Sequence, residues 1–175
     1  MTVAGLGCQS AQLVFHLANR PPLEPYQSLR KLQPMVAGEI EFLSRTQSNH
    51  WRKAFNVLAK FYYQLQGSPL AAPLGLDAFA SWQDYRDQRL LRQGSQTALL
   101  FSAPDFGARD RIHIIAGKTY AADLGLPFSL NWHDQFFAIN VENRLIVSPY
   151  LDYRQLSNAR INLLAELVLS LHSKQ

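Results

Sequence analysis

The sequence predicts one α/β domain: a three-layer α/β/α sandwich around a short, mostly parallel central sheet. Three observations carry this. Short apolar runs of strand length alternate with stretches whose apolar residues recur at helical spacing, and strands separated by helices pair in parallel and are covered on both faces. Pro and Gly clusters fall between those runs rather than inside them. The 175 residues suit one hydrophobic core. No repeat, low-complexity tract or composition shift divides them, so one domain spans residues 1–175.

Residues 12–18, Gln-Leu-Val-Phe-His-Leu-Ala, form a buried strand that Pro21 and Pro22 end, because proline cannot donate to a sheet ladder. A loop then runs to about Gln47, with one helical turn near residues 36–43. Residues 49–66 form the clearest helix: Trp51, Phe55, Leu58, Tyr62 and Leu65 make one apolar face, Ser48 or Asn49 caps its start and Gly67 ends it. A Pro- and Gly-rich linker covers residues 68–75. A second helix, capped by Asp77, runs to about Arg92. Strands follow at residues 97–103 and 111–116, then a short helix at 118–124 stopped by Gly125 and Pro127. Residues 136–141 and 144–149 are extended segments around Glu142-Asn143, the pattern of a hairpin. The last helix, residues 158–172, buries Ile161, Leu164, Ala165, Val168 and Leu171.

Composition narrows the function classes. Apolar residues make up 47% and charged residues 17%, with ten Phe, seven Tyr and three Trp, which excludes a disordered chain. Cys8 is the single cysteine, so neither an internal disulfide nor a cysteine zinc site is expected. No apolar run is long enough to span a membrane, and the first ten residues lack a signal-peptide pattern; the expected location is cytoplasmic, with no membrane partner. The net charge of +4 and pI of about 9.4 admit an anionic partner, nucleic acid included.

Complete catalytic motifs are absent. Gly117-Lys118-Thr119 has the end of a phosphate-binding loop, but Ile112 stands where its first Gly belongs, and the preceding strand runs straight into Gly117. His16, His50, His113, His133 and His172 form no metal-ligand spacing, and His16 and His113 are expected on sheet faces. No metal and no cofactor are expected. Asp105, Asp110, Asp134 and Asp152 stand at strand ends, where open α/β sheets place their sites, although each alone fits a turn or cap. Residues 148–158, Ser-Pro-Tyr-Leu-Asp-Tyr-Arg-Gln-Leu-Ser-Asn, concentrate side chains that stack and hydrogen-bond. They suit a ligand loop as well as a packed connection in which Ser157 or Asn158 caps the helix.

Four pieces, in order, resemble the uracil-DNA glycosylase superfamily, nearest its mismatch-specific branch. Strand 12–18 leading into Asn19-Arg20-Pro21 resembles a first motif in which a strand ends in Gly-x-Asn-Pro. Asn49-His50-Trp51 opens a helix as the family's Asn-x-Phe-Trp does. Residues 112–118, Ile-His-Ile-Ile-Ala-Gly-Lys, with Ala121, resemble a family strand and its following helix. The strand to Ser148-Pro149, running on to Leu156-Ser157-Asn158, is similar to the second motif, a Pro-Ser loop before the last helix. The departures are Leu17-Ala18 and the two prolines after Arg20 in the first motif, and in the second the lack of the family's His or Asn before Pro-Ser and Tyr150 where a small residue is expected.

The resemblance implies a glycosylase-like fold that takes a base out of the stack and holds it in a pocket. Asn19 then matches the water-positioning residue and Ser148 the contact to the flipped nucleotide, both catalytic. Phe15, Tyr26, Tyr150 and Asn158 are the candidate substrate-binding residues, and Arg20, Lys118 and Arg154 the candidate phosphate contacts. Two classes stay open. One is an enzyme that excises a base from DNA. The other is a catalytically inactive relative that binds nucleic acid, a small ligand or a protein. Arg20, Arg52, Lys53, Lys118 and Arg154 all fall near strand ends or helix starts. If those ends share one face, weak and salt-dependent DNA binding follows; if they are scattered, the charge only keeps the protein soluble.

Overall fold

The computed structural model describes residues 3–174. Among the described residues eight strands form one mixed sheet: β1 (Gly5–Gly7), β2 (Leu13–His16), β3 (Leu32–Gln33), β4 (Thr97–Leu100), β5 (Ile112–Ala116), β6 (Asn131–Trp132), β7 (Ala138–Asn140) and β8 (Leu145–Ser148). Their order is β3-β1-β4-β2-β5-β8-β7-β6. The four central strands, β4, β2, β5 and β8, run parallel to one another. β1 is antiparallel to β4 and parallel to β3, β7 is antiparallel to β8, and β6 is antiparallel to β7. The sheet is therefore not short, which corrects the expectation; it is mixed, with four of its seven strand pairings parallel. Parallel pairing runs through the centre, where the strands are buried and apolar, and recurs at one edge, where β3 pairs in parallel with β1.

Six α-helices accompany the sheet among the described residues: α1 (Glu39–Thr46), α2 (Asn49–Tyr63), α3 (Ala71–Leu74), α4 (Trp82–Gln88), α5 (Lys118–Asp123) and α6 (Asn158–His172). α2 and α6 lie over one face. Trp51, Phe55, Leu58, Phe61 and Tyr62 pack there with Phe15, Ile114 and Ile146 of the strands and Leu164 and Val168 of α6. Phe15 meets Phe61 edge-on at 5.2 Å, and the Tyr62 hydroxyl donates to the Leu13 carbonyl at 2.7 Å, so α2 is tied to the start of β2. On the other face, Ala121 of α5 packs with Ile115, Ala138, Leu145 and Val147. Alternation along β5 sets this division, since successive strand residues point to opposite faces.

Three local expectations change. The long loop after β2 contains a two-turn helix, α1, rather than a single turn near residues 36–43. The helix expected over residues 77–92 is split: a 3-10 turn covers Leu76–Ala78, and α4 starts at Trp82. Ser81, not Asp77, caps α4, its hydroxyl accepting from the Asp84 amide at 3.1 Å. β1 was not expected, because Gly5-Leu6-Gly7 has no strand-like pattern; the glycines let the backbone lie against β4. An added Cβ would meet the Leu99 carbonyl oxygen at 2.5 Å from Gly5 and the Thr97 carbonyl oxygen at 2.3 Å from Gly7. No helix among the described residues is long and apolar enough to cross a membrane.

Candidate functional site at the carboxyl ends of the central strands

β2, β5 and β8 deliver their following residues to one end of the sheet, where open α/β sheets form sites. β5 runs into Gly117 and Lys118, and β8 into Pro149 and Tyr150. The Gly117 amide donates to the Ser148 carbonyl at 2.9 Å, which holds the two strand exits side by side. Beside them is a cleft of about 380 Å³ lined by Lys118, Gln135, Phe136, Pro149, Tyr150, Arg154, Gln155 and Arg160. Three of these carry positive charge, two are aromatic, and none is a carboxylate.

Each wall has a cause in the chain. Lys118 Nζ donates to the Gln135 carbonyl at 2.8 Å and lies 4.6 Å from the Trp132 ring. Arg160 sits in the first turn of α6, with its guanidinium 3.6 Å from the Phe136 ring centre and one Nη–H donating to the Gln155 carbonyl at 2.7 Å. Asp134 holds the Phe136 and Phe137 amides at 2.7 and 2.8 Å, which shapes the turn presenting Phe136. Tyr150 is fixed from behind. Asn19 Nδ2 donates to its hydroxyl at 3.2 Å, the same hydroxyl is hydrogen-bonded to His50 Nε2, and the His50 ring stacks on it at 5.3 Å and 16°. Burial pushes the Tyr150 phenol above its ordinary pKa, with the Asn19 bond acting in the opposite sense. Burial likewise lowers the His50 imidazole, against the pull of Asp152. Lys53 of α2, 3.8 Å from Asp152 and 5.1 Å from the Tyr153 ring, fastens the 150–154 loop to the helix.

The structure brings together some of the sequence candidates and separates others. Lys118, Tyr150 and Arg154 line the cleft, and Asn19 reaches it only through the Tyr150 hydroxyl. Ser148 does not face it: the residue is fully buried and its hydroxyl donates to the Pro149 carbonyl at 2.9 Å. Asn19 and Ser148 therefore do not share a pocket. Phe15 is a core residue under α2, not a stacking surface. Tyr26 is buried and donates to Glu39 Oε2 at 2.6 Å, which docks the loop onto α1. Arg20 closes that same loop, its Nη1 donating to the carbonyls of Tyr26, Gln27 and Leu29, and it does not line the cleft. Asn158 opens onto a different cleft, of about 250 Å³, with Lys60 and Trp82.

Sequence reasoning missed His50, Phe136 and Arg160 as site residues. His50 was visible only as part of the Asn49-His50-Trp51 helix opening. Arg160 carried no local signal: α6 returns it to the mouth of the cleft, a relation that exists only once the helix packs. Away from the cleft, His16 and His113 share one sheet face and form a buried pair beside a cavity of about 240 Å³. Among the described residues no group of three or more His, Cys, Asp or Glu side chains could hold a metal ion.

Residues 4–169 match the model of a family described as a family of unknown function (DUF6942). Comparison with curated proteins and with solved structures finds no match.

Proposed function

The chain belongs to that family of unknown function, and we propose from its own residues that it is a non-excising relative of the uracil-DNA glycosylase fold that binds nucleic acid. One observation carries the reading: Lys118, Arg154 and Arg160 converge with Tyr150 and Phe136 on a cleft that no carboxylate lines. Cations supply affinity for phosphate, and aromatic faces supply sequence-tolerant stacking for bases. The position of the cleft, at the carboxyl ends of parallel strands, agrees with the sequence resemblance in Asn19 and in the loop after Ser148. Base excision would require more. It needs a polar group free to place or activate water beside the flipped base. The Ser148 hydroxyl is sealed inside the chain, and Asn19 spends one amide N–H on holding Tyr150.

The test is fluorescence anisotropy with labelled single-stranded and duplex DNA at 50 and 200 mM salt, alongside an excision assay on uracil-containing strands. Three phosphate contacts on a single strand give a salt slope of about −2, so affinity should fall by about tenfold or more over that range. Absence of binding at 50 mM salt would remove nucleic acid as the partner. Release of free base would overturn the non-excising assignment.

A further inference from the structure

We propose that the occupant of the cleft is a phosphate monoester carried on a nucleoside, and not an internal phosphodiester. This deepens the nucleic-acid reading and rests on it. Charge comes first. Lys118, Arg154 and Arg160 place three positive charges on one small cleft that no carboxylate lines; the Asp152 charge, which Arg154 feels, is paired with Lys53. An internal diester brings one negative charge to such a site, whereas a terminal monoester carries about −1.5 to −2 near pH 7 and three acceptor oxygens. The monoester is the closer match in both charge and acceptor number.

Donor accounting agrees. An ammonium has three N–H donors and a guanidinium five in a planar fork. Within the protein, Lys118 uses one on Gln135 and Arg160 one on Gln155. The remaining donors come from side chains whose positions are already set, Lys118 by Trp132 and Arg160 by Phe136. Little rotamer freedom is lost when an anion arrives, which favours binding.

Size and walls point the same way. About 380 Å³ lies at the small end of the range for small-ligand sites, roughly 300–1,000 Å³. One nucleotide unit suits that space, while a duplex would lie across it. Tyr150 supplies a ring held by Asn19 and His50, so it presents a fixed surface for a heterocycle. An ideal Cβ on Gly117 would stand 3.5 Å from Tyr150 Cδ2, in ordinary contact, so the strand exit borders the same ring.

The monoester could come from a free nucleotide or from the 5′ end of a strand, and the two sources separate experimentally. Calorimetry on the full chain would use a nucleoside 5′-monophosphate, its parent nucleoside, and one oligonucleotide in 5′-phosphorylated and 5′-hydroxyl forms. The expected result is at least a tenfold preference for the phosphorylated member of a pair. Lys118→Gln, an exposed change that should leave the melting temperature unmoved, is expected to remove most of that preference. If the monophosphate binds and neither strand does, the source is the free nucleotide and the nucleic-acid reading falls while the monoester assignment stands; if the phosphorylated strand binds more tightly, it is the strand end. Equal binding of the two strands, with no monophosphate binding, would overturn this inference and leave the nucleic-acid reading standing. No binding by any of the four would remove both.

Discussion

His16 and His113 show how a buried polar pair links protonation to stability. His16 Nδ1 faces the Ser102 carbonyl at 2.9 Å, His113 Nε2 faces the Ala108 carbonyl at 3.0 Å, and the two remaining ring nitrogens are 3.0 Å apart. Carbonyls only accept, so two neutral rings bring two protons to three contacts. A third proton would complete the chain, but burial opposes it in both rings, reinforced by the Arg111 charge. The result lowers His16 to about 3 and His113 below its ordinary value. The unfolded chain protonates near the ordinary histidine value of about 6.5, so between that pH and the folded values it binds more protons than the native state. Stability is then complete above about pH 6.5 and falls as the pH drops below it. Urea unfolding from pH 7.5 to 5 checks this. The slope should flatten in His16→Gln, and a wild-type stability that stays level to pH 5 would refute the assignment.

Among the elements, β1 depends most directly on backbone proximity. Gly7 has φ of +124° and leaves room for a Cβ only 2.3 Å from the Thr97 carbonyl oxygen. Substituting alanine forces β1 away from β4, at a cost of about 3 kcal/mol. Gly125 is the contrast: its φ is +57°, but nothing lies within 4 Å of an added Cβ. Gly125→Ala should therefore cost only the left-handed conformation, about 1 kcal/mol. Equal losses in the two variants, by urea denaturation, would show that the β1–β4 approach does not limit stability. The same contrast explains what was legible in the chain. α2 and α6 were readable because their apolar residues repeat at helical spacing, and β2, β5 and β8 because they are apolar runs with clear breakers. β1 was not, since a Gly-Leu-Gly strand is defined by what lies against it. The split before α4 was missed because Asp77 and Ser81 are both good caps, and only packing chooses between them.

At the scale of the whole molecule, the +4 charge resolves into separate local roles. Arg20 braces a loop, Lys53 pins the 150–154 segment, and Arg86 bonds to Asn56 and Asp87. Lys118, Arg154 and Arg160 instead share the cleft. Sequence order placed the first two near strand exits, but only folding adds Arg160 and withdraws Ser148, because burial at a strand end cannot be read from a polar residue's identity. The most direct test of the central claim is therefore where a ligand lands. Amide NMR shifts should be followed while a 5′-phosphorylated single strand is titrated into the full chain. The account predicts that the largest changes cluster at residues 117–118, 135–136, 149–155 and 160. Changes concentrated instead around residues 32–38 and 86–92, on the α1–α4 side, would contradict it.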